Sequence, residues 1–339
     1  MKDKRACAAG ACGASRRRFG RYAAGAAVLA ALPWTVAAQE TAFPSKPIRI
    51  VVPFPPGGFN DTLARLVGKE LQQAWGQPVV VDNKAGAATI IGTQAVASAA
   101  PDGYTMLVAA FGFATNPWVR NDLPYDTAKA FAPVILAARS ATVLATYADS
   151  PYKTVPDVLA AAKANPGKLN YGTAGVAASN HLAMVLFQEL THTTLNHVPY
   201  KGGSPALTDL ASGRLDVSFD LLPNAMPFIQ AGKLRALAVA DRKRSPLMPD
   251  VPTVEEAGGP KIDVPGWHGF VVPAGTPPAI VAKLNREINR ILRLPHIREE
   301  FQKQGVTPEG GSVDEFRTFI DGQLALWKGV IERNGIRVD

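Results

Sequence analysis

The stretch IRIVVPFPPGGFND, residues 48–61, decides how the chain is read. Its β-branched run from Ile48 to Val52 predicts a buried strand, and Pro55-Pro56 with Gly57-Gly58 then break the chain. Over residues 61–75 the apolar side chains Leu63, Leu66, Val67 and Leu71 recur at helical spacing, which predicts a helix with one buried stripe. Strand, Gly-rich corner and helix in direct succession form one half of an α/β unit. At such a corner the first N–H groups of the helix lack partners and the helix dipole is positive, so anions are favoured there. The corner lacks the Lys and Ser/Thr of a phosphate loop, and the spacing G-x-G-x-x-G is absent too. A small anion, most simply a carboxylate, and a purely structural glycine turn both remain open on spacing alone.

The alternation continues outward. Residues 79–82 and 104–109 read as strands and 89–99 as a helix; a second series begins near Val143, with strands in TVLATY, KLNYGT and LNHVPY, at 217–221 and at 234–240. Helices at 157–164, 179–190 and 205–212 lie between them, and two long helical runs finish the chain after WHGFVVPAGTPP. This rhythm predicts an α/β fold with parallel sheets covered on both faces, in two lobes. LNYGTAGVAASNHLAM and HVPYKGGSPALTDL repeat the strand, small-residue corner and helix of the opening stretch. Ligands in open α/β sheets gather outside the carboxyl ends of strands, so corners from two lobes can face one another across a cleft.

Composition fits an ordinary globular protein: 339 residues, 47% hydrophobic and 19% charged. The net charge of +8 is local, because Lys2, Lys4, Arg5, Arg16, Arg17, Arg18 and Arg21 crowd the first 38 residues against Asp3 alone. The rest of the chain carries only about +2, which argues against a nucleic-acid partner. Residues 1–38 read as an export signal: a basic region, an apolar core at 22–32 too short to span a bilayer, and small residues for cleavage near Ala38. SRRRF ahead of the core resembles a twin-arginine signal, with a Sec signal as the alternative. Both cysteines, Cys7 and Cys12, lie inside this segment, so the exported protein is expected to have no disulfide and no cysteine ligand. No nucleophile elbow, paired base or histidine constellation for a metal is visible, so no catalytic residue, metal or cofactor is expected.

FPSKPIRIVVPFPPGGFND, GQPVVVDNKAG, ASAAPDGYTMLVA, NPGKLNYGTAG, HVPYKGGSPALTDLASGRLDVSFD and PDVPTVEEAG together resemble the tripartite tricarboxylate transporter substrate-binding family, the Bug-type extracytoplasmic solute receptors. The resemblance implies a type II periplasmic binding protein-like fold, with two lobes and a ligand cleft between them. Lobe 1 is expected at residues 39–140 and 265–339, and lobe 2 at 141–264. It also implies a monomeric, periplasmic, non-enzymatic receptor that captures a small carboxylate and delivers it to a two-component inner-membrane permease. A receptor serving a sensor system, or an exported hydrolase, is the alternative.

Carried over by motif, the resemblance assigns ligand contact to Phe54, Gly57, Gly58, Phe59, Asn60 and Asp61 in the first lobe. In the second it assigns Thr173, Ala174, Gly175, Ala178, Ser179 and Asn180, with Tyr200, Lys201, Gly202 and Asp220 nearby. Each has a plainer reading: Asn60 or Asp61 as a helix cap, Asp220 as a partner for backbone groups, Lys201 as a solvated lysine. Two departures from the family pattern stand out. Ala177-Ala178 replaces a common Gly-Ser or Gly-Thr and removes a hydroxyl, so the far ligand group is held by Ser179 or is less polar than a second carboxylate. DNKAGAATIIG replaces a glycine-richer loop and is expected to matter less. Phe111, Phe113 and Trp118 are expected in the core or the cleft wall, with Phe59 or Phe113 able to stack on a ring-bearing ligand.

Overall fold

The structure, a computed structural model, describes residues 43–338; the export signal read over residues 1–38, with its cleavage point and both cysteines, lies outside them. β1 (Ile48–Val52) pairs in parallel with β2 (Val79–Asn83) and with β3 (Thr105–Ala110). β10 (Gly266–Pro273) then runs antiparallel between β3 and β4 (Phe131–Ser140), and the short β11 (Thr307–Pro308) lies against β4, which completes a six-stranded sheet. The expectation of parallel sheets is corrected here by β10 and β11, and again by the antiparallel three-stranded sheet of the second lobe. At β10 the chain re-enters the six-stranded sheet from its second lobe and not over a crossover helix, so its direction is reversed.

Helices cover both faces of this sheet. On one face, Leu63, Val67 and Leu71 of α1 (Phe59–Trp75) meet Ile48, Ile50 and Val52 together with Leu284 and Ile288 of α8 (Pro278–Leu292) and Phe301 of α9 (Pro295–Lys303). Each such fully buried side chain contributes about 1.5–3 kcal/mol. On the other face lie α2 (Ile90–Ala97), α3 (Phe111–Val119) and α10 (Val313–Arg333), whose Trp327 is fully buried. The sequence reading has no strand at β4 and no helix at α3. It also has two terminal helical runs where the structure has three helices, because the chain breaks at Leu294-Pro295 before α9.

The chain leaves the six-stranded sheet at Ala141 and enters a smaller one. There β5 (Thr142–Tyr147) runs antiparallel to β8 (Ser218–Leu221) and β9 (Leu234–Val239), and a bridge between Tyr171 and Val217 adds the parallel pair β6 (Asn170–Thr173) and β7 (Asn196–Pro199). α4 (Val155–Ala164), α5 (Ser179–Thr191), α6 (Gly203–Ala211) and α7 (Leu222–Gln230) accompany it. After β9 the chain returns to β10, and the two crossing segments are strapped together. The Ala240 N–H donates to Thr142 O, the Val264 N–H to Ala240 O, and the Thr142 hydroxyl to Val264 O at 2.7 Å. No helix among the described residues is long and apolar enough to cross a membrane.

Candidate functional site

A cavity of ≈390 Å³ lies where the ends of the two sheets meet, within the roughly 300–1,000 Å³ range of small-molecule sites. From the larger sheet its wall takes Phe54 and Asn60 beside β1, Ala88 and Thr89 before α2, and Ala110, Phe111, Gly112, Thr115 and Asn116 at the β3–α3 junction. Val119 and Arg120 end α3, and Trp267 and His268 of β10 form the floor. From the smaller sheet come Val176, Ala177, Ala178, Ser179 and Leu221; Gly266 stands at the crossing and Val338 near the end of the chain completes the wall.

Helix starts dominate this lining. Thr89, Ala110 and Ala178 are the N-cap residues of α2, α3 and α5, Leu221 is that of the proline-led α7, and Asn60 sits in the first turn of α1 behind the N-cap Gly58. Among the described residues, no side chain of Gly58, Thr89, Ala110 or Ala178 caps the first turn of its helix. The N–H groups of those first turns therefore present partial positive charge toward the cavity. No carboxylate lines it among the described residues, and Arg120 is its one cation. That guanidinium is held in a two-point pair by Asp122, Nε to Oδ1 and Nη2 to Oδ2, both at 2.9 Å.

His268 is buried, and burial pushes its pKa down to about 3, so the ring is neutral near pH 7. Its Nδ1 lies 2.8 Å from Asn60 Oδ1. A neutral ring that donates from Nδ1 fixes the carboxamide oxygen and leaves the Asn60 NH2 group as a donor for something else. Asn116 donates to Ala88 O at 2.8 Å and to the Thr89 hydroxyl at 3.3 Å, tying α3 to the loop before α2. In that loop Ala87, Ala88 and Thr89 have φ of 45°, 51° and 82°, three consecutive non-glycine residues in the left-handed region. Such conformations cost of order 1–3 kcal/mol each and persist only where surrounding structure enforces them. The loop that the sequence marks as a minor departure is thus a strained part of the cavity wall.

Of the residues assigned by motif, Phe54, Asn60, Ala178 and Ser179 line the cavity. Gly57, Gly58, Phe59 and Asp61 do not. Asp61 accepts from the Gly57 N–H, from Arg65 and from Asn83, all at 3.0 Å. Partial burial works to raise its pKa, and those three donors together hold it below the ordinary carboxylate value. Phe59 packs edge-on against His268 and Phe301, with centroids 4.6 and 5.1 Å apart, so it backs the floor. Phe113 is buried between Phe131 and Trp267; the rings that reach the cavity are Phe54, Phe111 and Trp267.

The second-lobe residues set back from the cavity build a scaffold under Val176-Ala177-Ala178. The Ala174 N–H donates to Asn180 Oδ1, and Asn180 Nδ2 donates to Asp220 Oδ2. Asp220 also accepts from Asn224 and from the Leu221 N–H; its burial nevertheless pushes its pKa above the ordinary value. Gly175 donates to the Thr173 hydroxyl, which lies 2.6 Å from His197 Nε2. The Ala177 N–H meets His181 Nδ1 at 3.3 Å; burial first, and the nearby His197 second, lower the His181 pKa to about 4. Tyr200 donates to Asp209, Lys201 is exposed, and Gly202 precedes α6; none of the three lines the cavity. Among the described residues no cluster of His, Cys, Asp and Glu could hold a metal ion.

The sequence reading missed Arg120, Asn116, Trp267, His268 and Val338, which come from α3, β10 and the chain end. Three of these five, Asn116, Trp267 and His268, are nearly fully buried, and in the sequence they are indistinguishable from core positions.

A family model described as the tripartite tricarboxylate transporter family receptor matches residues 63–336. Protein BugT of Bordetella pertussis is 36% identical over 302 residues, covering 87% of this chain and 91% of its own. Among solved structures, an R. palustris protein with adipate is 35% identical with a TM-score of 0.75, over 87% of this chain and 99% of that one. MatC from Rhodopseudomonas palustris with bound malate is 32% identical with a TM-score of 0.71, over 85% and 100%.

Proposed function

The chain belongs to the tripartite tricarboxylate transporter family of receptors, Bug proteins among them, and from that premise we propose that it captures a small carboxylate in the cavity between its two sheets. It is a solute-binding protein of periplasmic type and not an enzyme. The observation that carries the reading is the opening of four helix N-termini without side-chain caps onto a cavity that no acid lines among the described residues. Adipate and malate in the two similar R. palustris proteins support the same ligand class. Around that capture, residues 1–38 act as a cleaved export signal, residues 39–140 with 265–339 form one lobe, and 141–264 form the other. The lobes close about the strapped crossings at Thr142, Ala240 and Val264, and the closed form hands its ligand to a two-component membrane permease as a monomer.

A thermal-shift screen and calorimetric titration of the purified protein against small carboxylates test the proposal. A carboxylate should raise the melting temperature, quench the fluorescence of Trp267 at the cavity floor, and be recovered chemically unchanged. Turnover of the ligand, or the absence of binding across mono-, di- and tricarboxylates, overturns it.

A further inference from the structure

We propose that the ligand is a monocarboxylate with a ring-sized apolar body, and that Asp122 enforces this preference by neutralising Arg120, the one cation among the described residues that line the cavity. The inference rests on the carboxylate reading of the cavity and deepens it to a substrate class. A ligand's carboxylate is served by the first-turn N–H groups and by the free NH2 of Asn60. Its other end meets a different surface. Of the second-lobe residues that line the cavity, Val176, Ala177, Ala178 and Leu221 are apolar and Ser179 alone carries a hydroxyl; Val176 is 50% exposed, an apolar side chain held out toward the space. Val119, Leu221 and Val338 continue that surface.

The polar side chains deeper in the wall are already paired. Asn116 is spent on Ala88 O and the Thr89 hydroxyl, and the Thr115 hydroxyl lies 3.5 Å from Phe111 O. Arg120, the one charged side chain among the described lining residues that could pair with a second carboxylate, already holds one. Its planar fork is matched at both oxygens by Asp122, whose side chain is itself 70% exposed and so remains ionised. A second carboxylate placed here would be partly desolvated beside a carboxylate of the protein, with no free charge to compensate it. An aromatic ring would instead bury apolar area against Phe111, Trp267 and Val176.

The test compares benzoate with adipate and malate by calorimetric titration, for the wild-type protein and for Asp122→Asn, an exposed change that frees the Arg120 fork. Wild-type protein should bind benzoate roughly tenfold or more tighter than either dicarboxylate. Asp122→Asn should improve dicarboxylate binding by about tenfold while leaving benzoate within about threefold. Equal or tighter binding of adipate or malate by the wild type overturns the inference and leaves the receptor reading standing. A benzoate-to-adipate ratio unmoved in Asp122→Asn overturns the role given to the Arg120–Asp122 pair. Failure of all three probes and of every other carboxylate removes the underlying reading as well.

Discussion

At α4 and α10, Thr154 and Ser312 accept from the N–H groups of Asp157 and Glu315, and those carboxylates reach back to the cap residues' own N–H groups. At the four helices that open onto the cavity, the same position is held by Gly58, Thr89, Ala110 and Ala178, and no side chain caps the turn. A capping side chain is worth about 1 kcal/mol, so four bare starts forgo on the order of several kcal/mol of stability. An Asp or Glu placed there would satisfy those N–H groups permanently and bring a negative charge into the cavity. The difference teaches where the protein keeps its donors free. α6, α7, α8 and α9 also lack side-chain caps; the last three each begin near a proline, which removes a donor and does not expose one, and α6 starts behind Gly202, away from the cavity lining.

Moving a cap from one region to the other breaks the comparison most directly. Ala178 has φ −64° and ψ 160°, the extended conformation an N-cap needs, so Ala178→Asp fits without strain. Carboxylate affinity should fall by roughly 100-fold or more through repulsion and occupied donors, while the urea midpoint rises by the equivalent of about 1 kcal/mol. Unchanged affinity, or a loss of stability, would break the link between bare helix starts and binding.

Acid sharpens it next, because α5 replaces a cap with a neutral imidazole: the Ala177 N–H points at His181 Nδ1. A histidine whose native pKa lies near 4 takes up its proton in the unfolded chain first, at about 6.5. The unfolded state therefore binds more protons between these values, and stability, complete above pH 6.5, declines as pH falls toward 4. His268, lowered to about 3, extends the decline in the same direction. At about 1.4 kcal/mol per pKa unit, the two lowered values together correspond to roughly 8 kcal/mol at most. Urea midpoints at pH 7.5, 5 and 4 measure the decline, which His181→Gln should flatten in part; a flat profile in the wild type refutes it.

The smallest effect belongs to the capped region. Ser312→Ala should cost about 1 kcal/mol of stability. Its carboxylate affinity should stay at the wild-type value, since Ser312 is not among the residues lining the cavity. A binding defect in this variant would mean that the two sets of helix starts do not differ in function.

The sequence alone reached the α/β class, the strand β1 and the helix α1, because a continuous apolar, β-branched run and a period-3.6 apolar stripe are local properties of a chain. Residues 48–61 also pointed to a donor-rich corner, since orphan N–H groups follow from any strand-to-helix junction. Only tertiary structure decided which residues of that corner serve the cavity. Gly57, at φ 93°, needs glycine for its backbone, whereas Gly58 has ordinary dihedrals and open space where a side chain would stand. Asp61 is consumed by Arg65, Asn83 and Gly57, and Asn60, one residue earlier, is turned to the cavity by His268 from 208 residues away. The Arg120–Asp122 pair is short in sequence, but its place beside Val176 and Val338 exists only once β10 has returned to the sheet. Local periodicity could set the elements; the charge and polarity of the space between them depend on contacts between distant segments.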